Sequence, residues 1–202
     1  PLSKKRLFDW HAALFPTGRS GMHSIVVGDW RNDDSGPMQV VSGPIGHETI
    51  PFEAPSADRL HKEMATFLSW FEEPDNVDPV LRAGIAHLWF VTIHPFEDGN
   101  GRIARAIADM VLARADNTAY RFYSLSSQCE FERKDYYNQL ERQQCSTPEI
   151  TGWLEWFLDC LGRAVSSAED KLSKIMFKSQ LWNKINQNSV NERQRRIINC
   201  ML

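Results

Sequence analysis

The sequence predicts an all-α fold that carries one small β-hairpin. Apolar residues recur at helical spacing almost throughout the chain after residue 55, which is typical of helices with one buried face. Glycines concentrate between residues 17 and 55, where two short β-like runs also lie. With 202 residues, of which 42% are hydrophobic and 24% charged, the chain is long enough to form one substantial core.

The first part of the chain contains one predicted helix and the hairpin. The helix is expected over residues 3–15, because Leu7 and Leu14 fall near one face and Ser3 suits an N-cap. The hairpin is predicted over residues 38–52, where "MQVVSG" and "ETIPF" form two strands joined by a longer loop. Pro51 indicates an exposed edge strand, since proline cannot donate to a central ladder.

Helices fill the rest of the predicted fold. Asp78 followed by Pro79 is a cap with proline in the first turn, and the segment that it opens is apolar nearly all round. Such a segment indicates a central, buried helix. The predicted helices after the hairpin run from Ser56 to about Glu72, from Asp78 to about Ile93, from residue 101 to near Asp116, from about Glu130 to Gln144, from Thr147 through Trp182, and from Asn191 onward.

Charge and composition narrow the function classes. The formal net charge of -3 gives no electrostatic reason for the whole chain to bind nucleic acid. No apolar run approaches the roughly 18 residues that a membrane helix needs, and the first residues lack the apolar segment of a signal peptide. We therefore expect a cytoplasmic protein without membrane contact. The four cysteines lie far apart in the sequence, so we expect free thiols and neither a disulfide framework nor a zinc site.

The stretch from His94 to Arg105, "HPFEDGNGRIAR", concentrates polar chemistry between two helices predicted to be buried. A solvated turn is the ordinary interpretation of a polar stretch, but such a turn needs no histidine, acid and two arginines around a glycine pair. Gly99 and Gly101 allow positive φ and a close approach of the main chain to a ligand. Backbone N–H groups at the following helix N-terminus form an anion site, and Arg102 and Arg105 lie on one face of that helix.

A carboxylate beside the anion site indicates a metal ion. Asp98 would repel a phosphate, and a magnesium ion resolves that conflict because it is held by one or two carboxylates together with substrate phosphates. The predicted ligand is a magnesium-bound polyphosphate, and the sequence has no P-loop motif. His94 suits a general base that takes the proton from an attacking hydroxyl. We expect Phe96 to anchor the loop in the core and Glu97 to point to solvent.

These twelve residues resemble the signature of the Fic family, H-P-F-x-[DE]-G-N-G-R-x-x-R, at every fixed position. The hairpin is similar to the family's flap, and "SSQCEFERKDYYNQLERQQ" is similar to the family helix whose tyrosine pair lines the nucleotide site. Members of the family transfer AMP from ATP to a hydroxyl of a target protein and release pyrophosphate. The resemblance therefore implies a protein adenylyltransferase, an AMPylating enzyme with ATP as substrate and Mg²⁺ as cofactor.

The resemblance also implies roles for single residues. His94 would be the general base, and Asp98 the magnesium ligand. Asn100 and the glycine backbone would hold the α-phosphate region, with Arg102 on the distal phosphates and Arg105 on the γ-phosphate. The implied nucleotide-binding residues are Asp98, Gly99, Asn100, Gly101, Arg102 and Arg105 in the motif, Tyr136 and Tyr137 near the adenosine, and Ser42, Gly43, Pro44 and Ile45 at the flap tip. For the two tyrosines, an amphipathic helix with aromatic core residues is an equally good interpretation.

Partners follow from the same resemblance. The target protein would dock on the flap hairpin by adding a strand to its exposed edge. Many members carry an inhibitory helix with [ST]-x-x-x-E-[GN], whose glutamate pairs with the second motif arginine, here Arg105. That pattern does not occur in this sequence, so we expect the inhibitory helix in a segment preceding the chain or on a partner chain. A kinase-like branch has Ala-Asn-Lys-Arg at the motif, and Gly101 favours adenylyl transfer over phosphoryl transfer. The sequence does not determine the oligomeric state, and a homodimer is one of the states that it allows.

For the domain organisation we predict a Fic catalytic domain over residues 1–185, including the flap hairpin 38–52, and the start of a C-terminal segment over residues 186–202. The chain begins with Pro1 and ends in a helical pattern without a stop signal, so we expect it to be part of a longer protein. Its last residues, "NERQRRIINCML", resemble the opening of a winged helix-turn-helix, although a solvated helical start is at least as good an interpretation. Two alternative functions remain, namely removal of AMP by the same site and a nucleotide-sensing regulatory module with a DNA-binding C-terminal domain. The acidic net charge does not support DNA binding.

Overall fold

The computed structural model describes residues 1–34, 36–42, 49–74, 76–118, 121–145, 149–186 and 191–201. Within them the predicted fold class is confirmed, because helices form the body and the strands are confined to two short antiparallel pairs. The helices are α1 (Lys4–Leu14), α2 (Ala57–Glu72), α3 (Pro79–Ile93), α4 (Asn100–Ala115), α5 (Leu125–Phe131), α6 (Arg133–Gln144), α7 (Thr151–Asn186) and α8 (Glu192–Met201). The strands are β1 (Arg19–Ser20), β2 (His23–Ser24), β3 (Gln39–Ser42) and β4 (Thr49–Glu53).

Helix α3 lies at the centre of the fold, as its apolar sequence predicts. Helices α2, α4 and α7 pack against it. It approaches α7 closely at Gly84, where an added Cβ would lie 3.0 Å from the side chain of Leu154 and 3.1 Å from that of Phe157. The indole Nε1 of Trp153 donates to the Gly84 carbonyl over 2.9 Å. Because each fully buried aromatic side chain contributes about 2 kcal/mol or more, this crossing is a substantial part of the core.

The two ends of α3 have different roles. At its start, the Asp78 carboxylate accepts from the N–H groups of Val80 over 2.8 Å and Leu81 over 3.4 Å, and Pro79 occupies the first turn, as predicted. At its end, His94 adopts the left-handed conformation, with φ 52° and ψ 56°. This conformation turns the chain sharply out of the helix, and α4 then begins only six residues later and returns along α3.

The predicted hairpin is confirmed by the antiparallel pairing of β3 with β4. Gln39 pairs with Glu53 and Val40 with Phe52, and the register shifts before Ser42 pairs with Thr49. The loop between these strands, residues 43–48, lies outside the described residues. A second pair of two-residue strands, β1 and β2, was not predicted. Such short strands carry too few residues for a recognisable alternating pattern.

One helix boundary was wrong in the sequence-based prediction. The segment expected to form a single helix from about Glu130 to Gln144 consists of α5 and α6, which meet at Glu132. The carboxylate of Glu132 accepts two hydrogen bonds of 2.6 Å from Arg163 on α7, a long-range pairing that no local pattern reveals. The long helix α7 begins at Thr151, a few residues later than expected.

The distal part of α7 extends beyond the core. Its first half buries Trp153 and Phe157, whereas Ile175 and Phe177 are more than half exposed. In the described part of the chain no helix has the length and apolarity needed to cross a membrane.

The predicted free thiols are confirmed for Cys129 and Cys160. Both are buried, and their Sγ atoms lie 4.0 Å apart in the core. The side chain of Cys200 lies outside the described residues.

Candidate functional site

His94 stands at the junction between α3 and the motif loop, which comprises residues 94–99. Its Nδ1 donates to the Val91 carbonyl over 3.2 Å, so the lone pair of the neutral ring lies on Nε2. Burial lowers the pKa of His94; the hydrogen bond to the Val91 carbonyl opposes this in part, the nearby Arg31 charge lowers the pKa further, and Asp98 raises it slightly. The imidazole is therefore neutral at neutral pH, which is the form that accepts a proton.

Phe96 anchors the motif loop in the core, as predicted. Its side chain is fully buried and stacks on the His11 ring with 4.1 Å between centroids and 8° between planes. The carboxamide of Asn100 closes the loop from the other side. Its Nδ2 donates to the Phe96 carbonyl over 2.7 Å, and its Oδ1 accepts from the Phe96 N–H over 3.0 Å. The Asn100 side chain is thus a loop-stabilising group, and its contact with a phosphate stays a prediction.

Asp98 lies at the mouth of the site with its carboxylate half exposed. Its Oδ1 accepts from the Gly99 N–H over 2.5 Å, and its Oδ2 accepts from the Ser20 hydroxyl over 2.5 Å. The same Oδ2 lies 3.6 Å from the guanidinium of Arg102. The backbone carbonyl of Asp98 accepts a 3.2 Å hydrogen bond from Nε2 of His11. The loop therefore presents the carboxylate outward while its backbone is fixed from within.

Two neighbours of Asp98 differ from expectation. Glu97 was expected to point to solvent, but its Oε2 accepts from the Val26 N–H over 3.1 Å and so ties the loop to the chain before the hairpin. Gly101 was expected to use a positive φ, but it lies in the first turn of α4 and is absent from the described positive-φ residues. Gly99 has the expected conformation, with φ 84°, and an added Cβ would lie 2.9 Å from Phe15 Cε2.

The two motif arginines occupy different environments on α4. The Arg102 guanidinium lies over the Phe15 ring, 4.7 Å from its centroid, and its side chain is 44% exposed. The Arg105 guanidinium lies 5.9 Å from the Tyr136 ring centroid, and its Nε is buried without a hydrogen-bond partner among the described residues. A buried guanidinium N–H without a partner indicates a missing acceptor, and anions are the strongest acceptors for it.

The two tyrosines of α6 also lie in different environments. Tyr136 is buried in the core, shares a 3.0 Å hydrogen bond with Nε2 of His87, and has a raised pKa because of burial. Burial, with a contribution from Arg105, lowers the pKa of His87 to about 3, so this imidazole is neutral. Tyr137 is 52% exposed and lies against Arg133. The amphipathic-helix interpretation accounts for Tyr136, and adenosine contact by either tyrosine stays a prediction.

A metal at this site would have one protein carboxylate. The described residues contain no group of three or more His, Cys, Asp or Glu side chains that could hold an ion. The Asp98 carboxylate and the Ser20 hydroxyl offer oxygen ligands for a metal next to the predicted anion site, and the carboxylate is half exposed. This donor set fits magnesium, which keeps several waters and takes its remaining ligands from substrate phosphates.

Two cavities in the described part of the molecule lie away from the motif. One, of about 320 Å³, includes Phe71 and Arg114 in its lining, and the other, of about 420 Å³, includes Phe122 and Arg163. Neither is lined by a motif residue. At the flap tip, Gly43, Pro44 and Ile45 lie outside the described residues, and so does the side chain of Ser42, whose backbone ends β3.

His11 and Arg31 contact motif residues, and His87 contacts Tyr136; none of the three was predicted as part of the site. His11 lies 87 residues from Asp98 in the sequence, and Arg31 lies 63 residues from His94. His11 and His87 are both buried and hydrogen-bonded, but Nδ1 of His87 is buried without a partner among the described residues. No local pattern relates such residues to the motif, because only the folded chain brings them to it.

Residues 1–112 match the model of the Fic/DOC family. Over 117 residues the chain is 31% identical to a protein adenylyltransferase Fic of Nematostella vectensis, covering 56% of this chain and 25% of that protein. Over 128 residues it is 27% identical to a uridine 5'-monophosphate transferase of Xanthomonas campestris, covering 56% of this chain and 21% of that protein. The chain thus spans about a quarter or less of the length of these curated relatives.

Solved structures share the fold. A Fic family protein from Desulfovibrio desulfuricans aligns with a TM-score of 0.66 at 29% identity, covering 84% of this chain and 47% of that one. Fic-1 of Caenorhabditis elegans aligns with a TM-score of 0.62 at 18% identity, covering 88% of this chain and 45% of that one. At 18% identity, the likeness to Fic-1 concerns the fold alone.

Proposed function

Because the chain belongs to the Fic/DOC family, we propose that it transfers AMP from ATP to a hydroxyl group of a target protein and releases pyrophosphate. The observation that carries this proposal is the placement of a neutral histidine, His94, directly before an anion site whose buried Arg105 Nε has no partner among the described residues. A base and an anion site in one short loop are what nucleotidyl transfer to a hydroxyl requires. Relatives named protein adenylyltransferases support the choice of AMP.

The proposed reaction uses His94 as its base. Nε2 takes the proton of the acceptor hydroxyl, and the hydroxyl oxygen forms a bond to the α-phosphorus of ATP. The bond from that phosphorus to the oxygen bridging the α- and β-phosphates breaks, and the bond electrons leave with pyrophosphate. The protonated imidazole then returns its proton to water or to the leaving group.

The residues after His94 would hold the triphosphate during this step. N–H groups in the first turn of α4 lack helical partners, and the helix dipole favours negative charge there. Arg105, whose Nε is buried without a partner among the described residues, would donate to the γ-phosphate, and Arg102 from the exposed side to the distal phosphates. Asp98, beside the Ser20 hydroxyl, would hold the magnesium ion, which neutralises phosphate charge when bound.

The flap would position the target. We propose that an extended segment of the target protein pairs with the edge of the β3–β4 hairpin, which fixes the acceptor hydroxyl near His94 through backbone hydrogen bonds. We also propose that an inhibitory glutamate from a preceding segment or a partner chain binds Arg105 and so competes with the γ-phosphate. A cytoplasmic location is proposed from the free cysteines.

Label transfer tests the proposed function. The chain is incubated with magnesium, lysate proteins and ATP labelled on the α-phosphate. We expect label on protein, with His94→Ala reducing it by about 10²- to 10⁴-fold because general-base catalysis contributes on that order. His61→Ala is the matched control, since His61 is an exposed histidine on α2, and it should label as the wild type does.

Three further outcomes distinguish the alternatives. Label from γ-labelled ATP would indicate phosphoryl transfer instead. Stronger label from α-labelled UTP would favour UMP transfer, the reaction named for the Xanthomonas relative. Loss of label from a purified AMP-modified protein, without any forward transfer, would favour AMP removal. Only the absence of these three reactions together with the absence of AMP transfer would contradict an enzymatic role for the site.

A further inference from the structure

We propose that Arg31 is a positioning residue for His94, which holds the His94 backbone in its left-handed conformation and connects it to the base of the flap hairpin. The proposal deepens the proposed function and rests on it, because it concerns the placement of the base in that reaction. Arg31 lies outside the motif and before β3, and its side chain is fully buried.

Arg31 contacts two consecutive carbonyl groups of the motif. Its Nε donates to the His94 carbonyl over 2.8 Å, and its backbone N–H donates to the Pro95 carbonyl over 2.9 Å. The two peptide groups that flank Pro95 are therefore both tied to one residue.

The backbone of His94 needs such a restraint. A left-handed conformation is disfavoured for residues with a Cβ. In the described residues only His94 and Asn117 adopt it without being glycine. If the His94 carbonyl were released, the backbone would relax toward the favoured regions and the imidazole would swing away from the anion site.

The other end of the guanidinium reaches the flap. Nη2 of Arg31 donates to the Pro55 carbonyl, and Nη1 donates to the Asp33 carboxylate over 2.8 Å. Asp33 in turn accepts from the Ala57 N–H, the first residue of α2, over 2.6 Å. Since Pro55 lies two residues after the end of β4, one planar group links the flap exit, the start of α2 and the catalytic histidine.

Arginine suits this position better than lysine. The guanidinium has three acceptors, the backbone carbonyls of His94 and Pro55 and the carboxylate of Asp33, and each receives from a different nitrogen atom. An ammonium group has a single nitrogen at the end of a flexible chain, so it could not serve all three acceptors at once.

The test compares Arg31→Lys with Arg82→Lys. Arg82 is a matched control because its Nη2 also donates to backbone carbonyls, those of Trp70 over 2.6 Å and Glu73 over 2.7 Å, but at the end of α2 distant from the motif. We expect Arg31→Lys to lower kcat by about 10²-fold, the loss typical of a misplaced catalytic group. KM for ATP should stay within about threefold, because the phosphate-binding residues are unchanged. Arg82→Lys should lower Tm but leave kcat unchanged.

A second readout does not need activity. In protein with ¹⁵N-labelled histidine, the imidazole resonances of His94 are identified by their loss in His94→Ala. We expect them to shift or broaden in Arg31→Lys and to stay in place in Arg82→Lys. If Arg31→Lys does not fold, Asp33→Asn replaces it, since it removes the charge that orients Nη1, and a smaller change in the same direction is expected.

The outcomes separate the two proposals. A wild-type chain that transfers no nucleotide contradicts the proposed function, while the His94 resonances still decide the role of Arg31. Unchanged His94 resonances in the folded Arg31 variant, or in Asp33→Asn where that replaces it, would overturn the positioning role. Equal losses of kcat in Arg31→Lys and Arg82→Lys would also overturn it, because they would indicate general destabilisation.

Discussion

The motif loop, residues 94–99, is held by side chains from distant parts of the chain, whereas the first turns of α4 are held by their own backbone. In the loop, the carbonyl of His94 accepts from Arg31 and that of Asp98 accepts from His11. In α4, the helical hydrogen bonds begin with the Ile103 N–H, which donates to the Gly99 carbonyl over 3.0 Å. One half of the motif therefore depends on tertiary contacts, and the other half depends on local sequence.

This difference separates two kinds of functional side chain. His94 and Asp98 extend from a backbone whose conformation is imposed from outside, so distant substitutions should disturb them. Arg102 and Arg105 are placed by helix geometry, and their surroundings decide what they do. Arg102 is half exposed over Phe15, while Arg105 points into the core beside Tyr136.

In the helical half of the motif, the largest effect is expected from substitution of Arg105. Arg105→Met should lower the affinity for ATP with magnesium by about 10- to 100-fold, since a hydrogen bond to a charged group contributes about 1.5–3 kcal/mol. Isothermal titration calorimetry of both proteins measures this. Unchanged affinity would mean that the Arg105 guanidinium only packs near Tyr136 and does not bind the nucleotide.

The junction between the two halves is tested by a pair of glycines. Gly99→Ala should lower the free energy of unfolding by about 1–2 kcal/mol, because φ is 84° there and the added Cβ would lie 2.9 Å from Phe15. Gly101→Ala should be neutral or stabilise by about 0.5–1 kcal/mol, since Gly101 is helical and its nearest neighbour would be 3.5 Å from the new Cβ. Urea denaturation compares them, and equal effects would contradict the assigned difference.

The free energy of unfolding should depend on pH through the protonation of His87, which lies in the core. Its pKa of about 3 in the folded protein lies below the usual value of 6.5, so the unfolded state binds an extra proton between these values. The contribution of neutral His87 is complete above about pH 6.5 and is lost as the pH falls toward 3, with a slope of up to about 1.4 kcal/mol per pH unit. His87→Gln should flatten the dependence of the free energy of unfolding on pH in this window. Parallel curves for the two proteins would contradict the burial of a neutral imidazole.

The smallest effect is expected at the exposed arginine. The ion pair between Arg102 and Asp98 spans 3.6 Å and both side chains are nearly half exposed, so solvent and salt screen it. Arg102→Gln should change the free energy of unfolding by about 0.5 kcal/mol or less, as is usual for surface ion pairs. A loss above about 2 kcal/mol in thermal denaturation would mean that Arg102 stabilises the loop as strongly as the buried contacts do.

The helices were predictable because each has a local signal. Asp78 and Pro79 predicted the start of α3, and the apolar periodicity predicted its central position. The hairpin over residues 38–52 was predictable from its two β-like runs and is confirmed by β3 and β4. The break at Glu132 was missed; the Glu132 carboxylate pairs there with Arg163, 31 residues away, and such a contact leaves no local signal in the sequence.

The sequence by itself determined the helical fold, the hairpin and the chemical content of the motif, because periodicity, capping residues and functional groups are local properties of the chain. Tertiary structure alone decided that Phe96 stacks on His11, that Arg31 donates to the His94 carbonyl, and that Nε of Arg105 is buried while the Arg102 side chain is nearly half exposed. These contacts join residues that are far apart in sequence. Their formation depends on the packing of several elements at once, and no spacing rule along the chain encodes it.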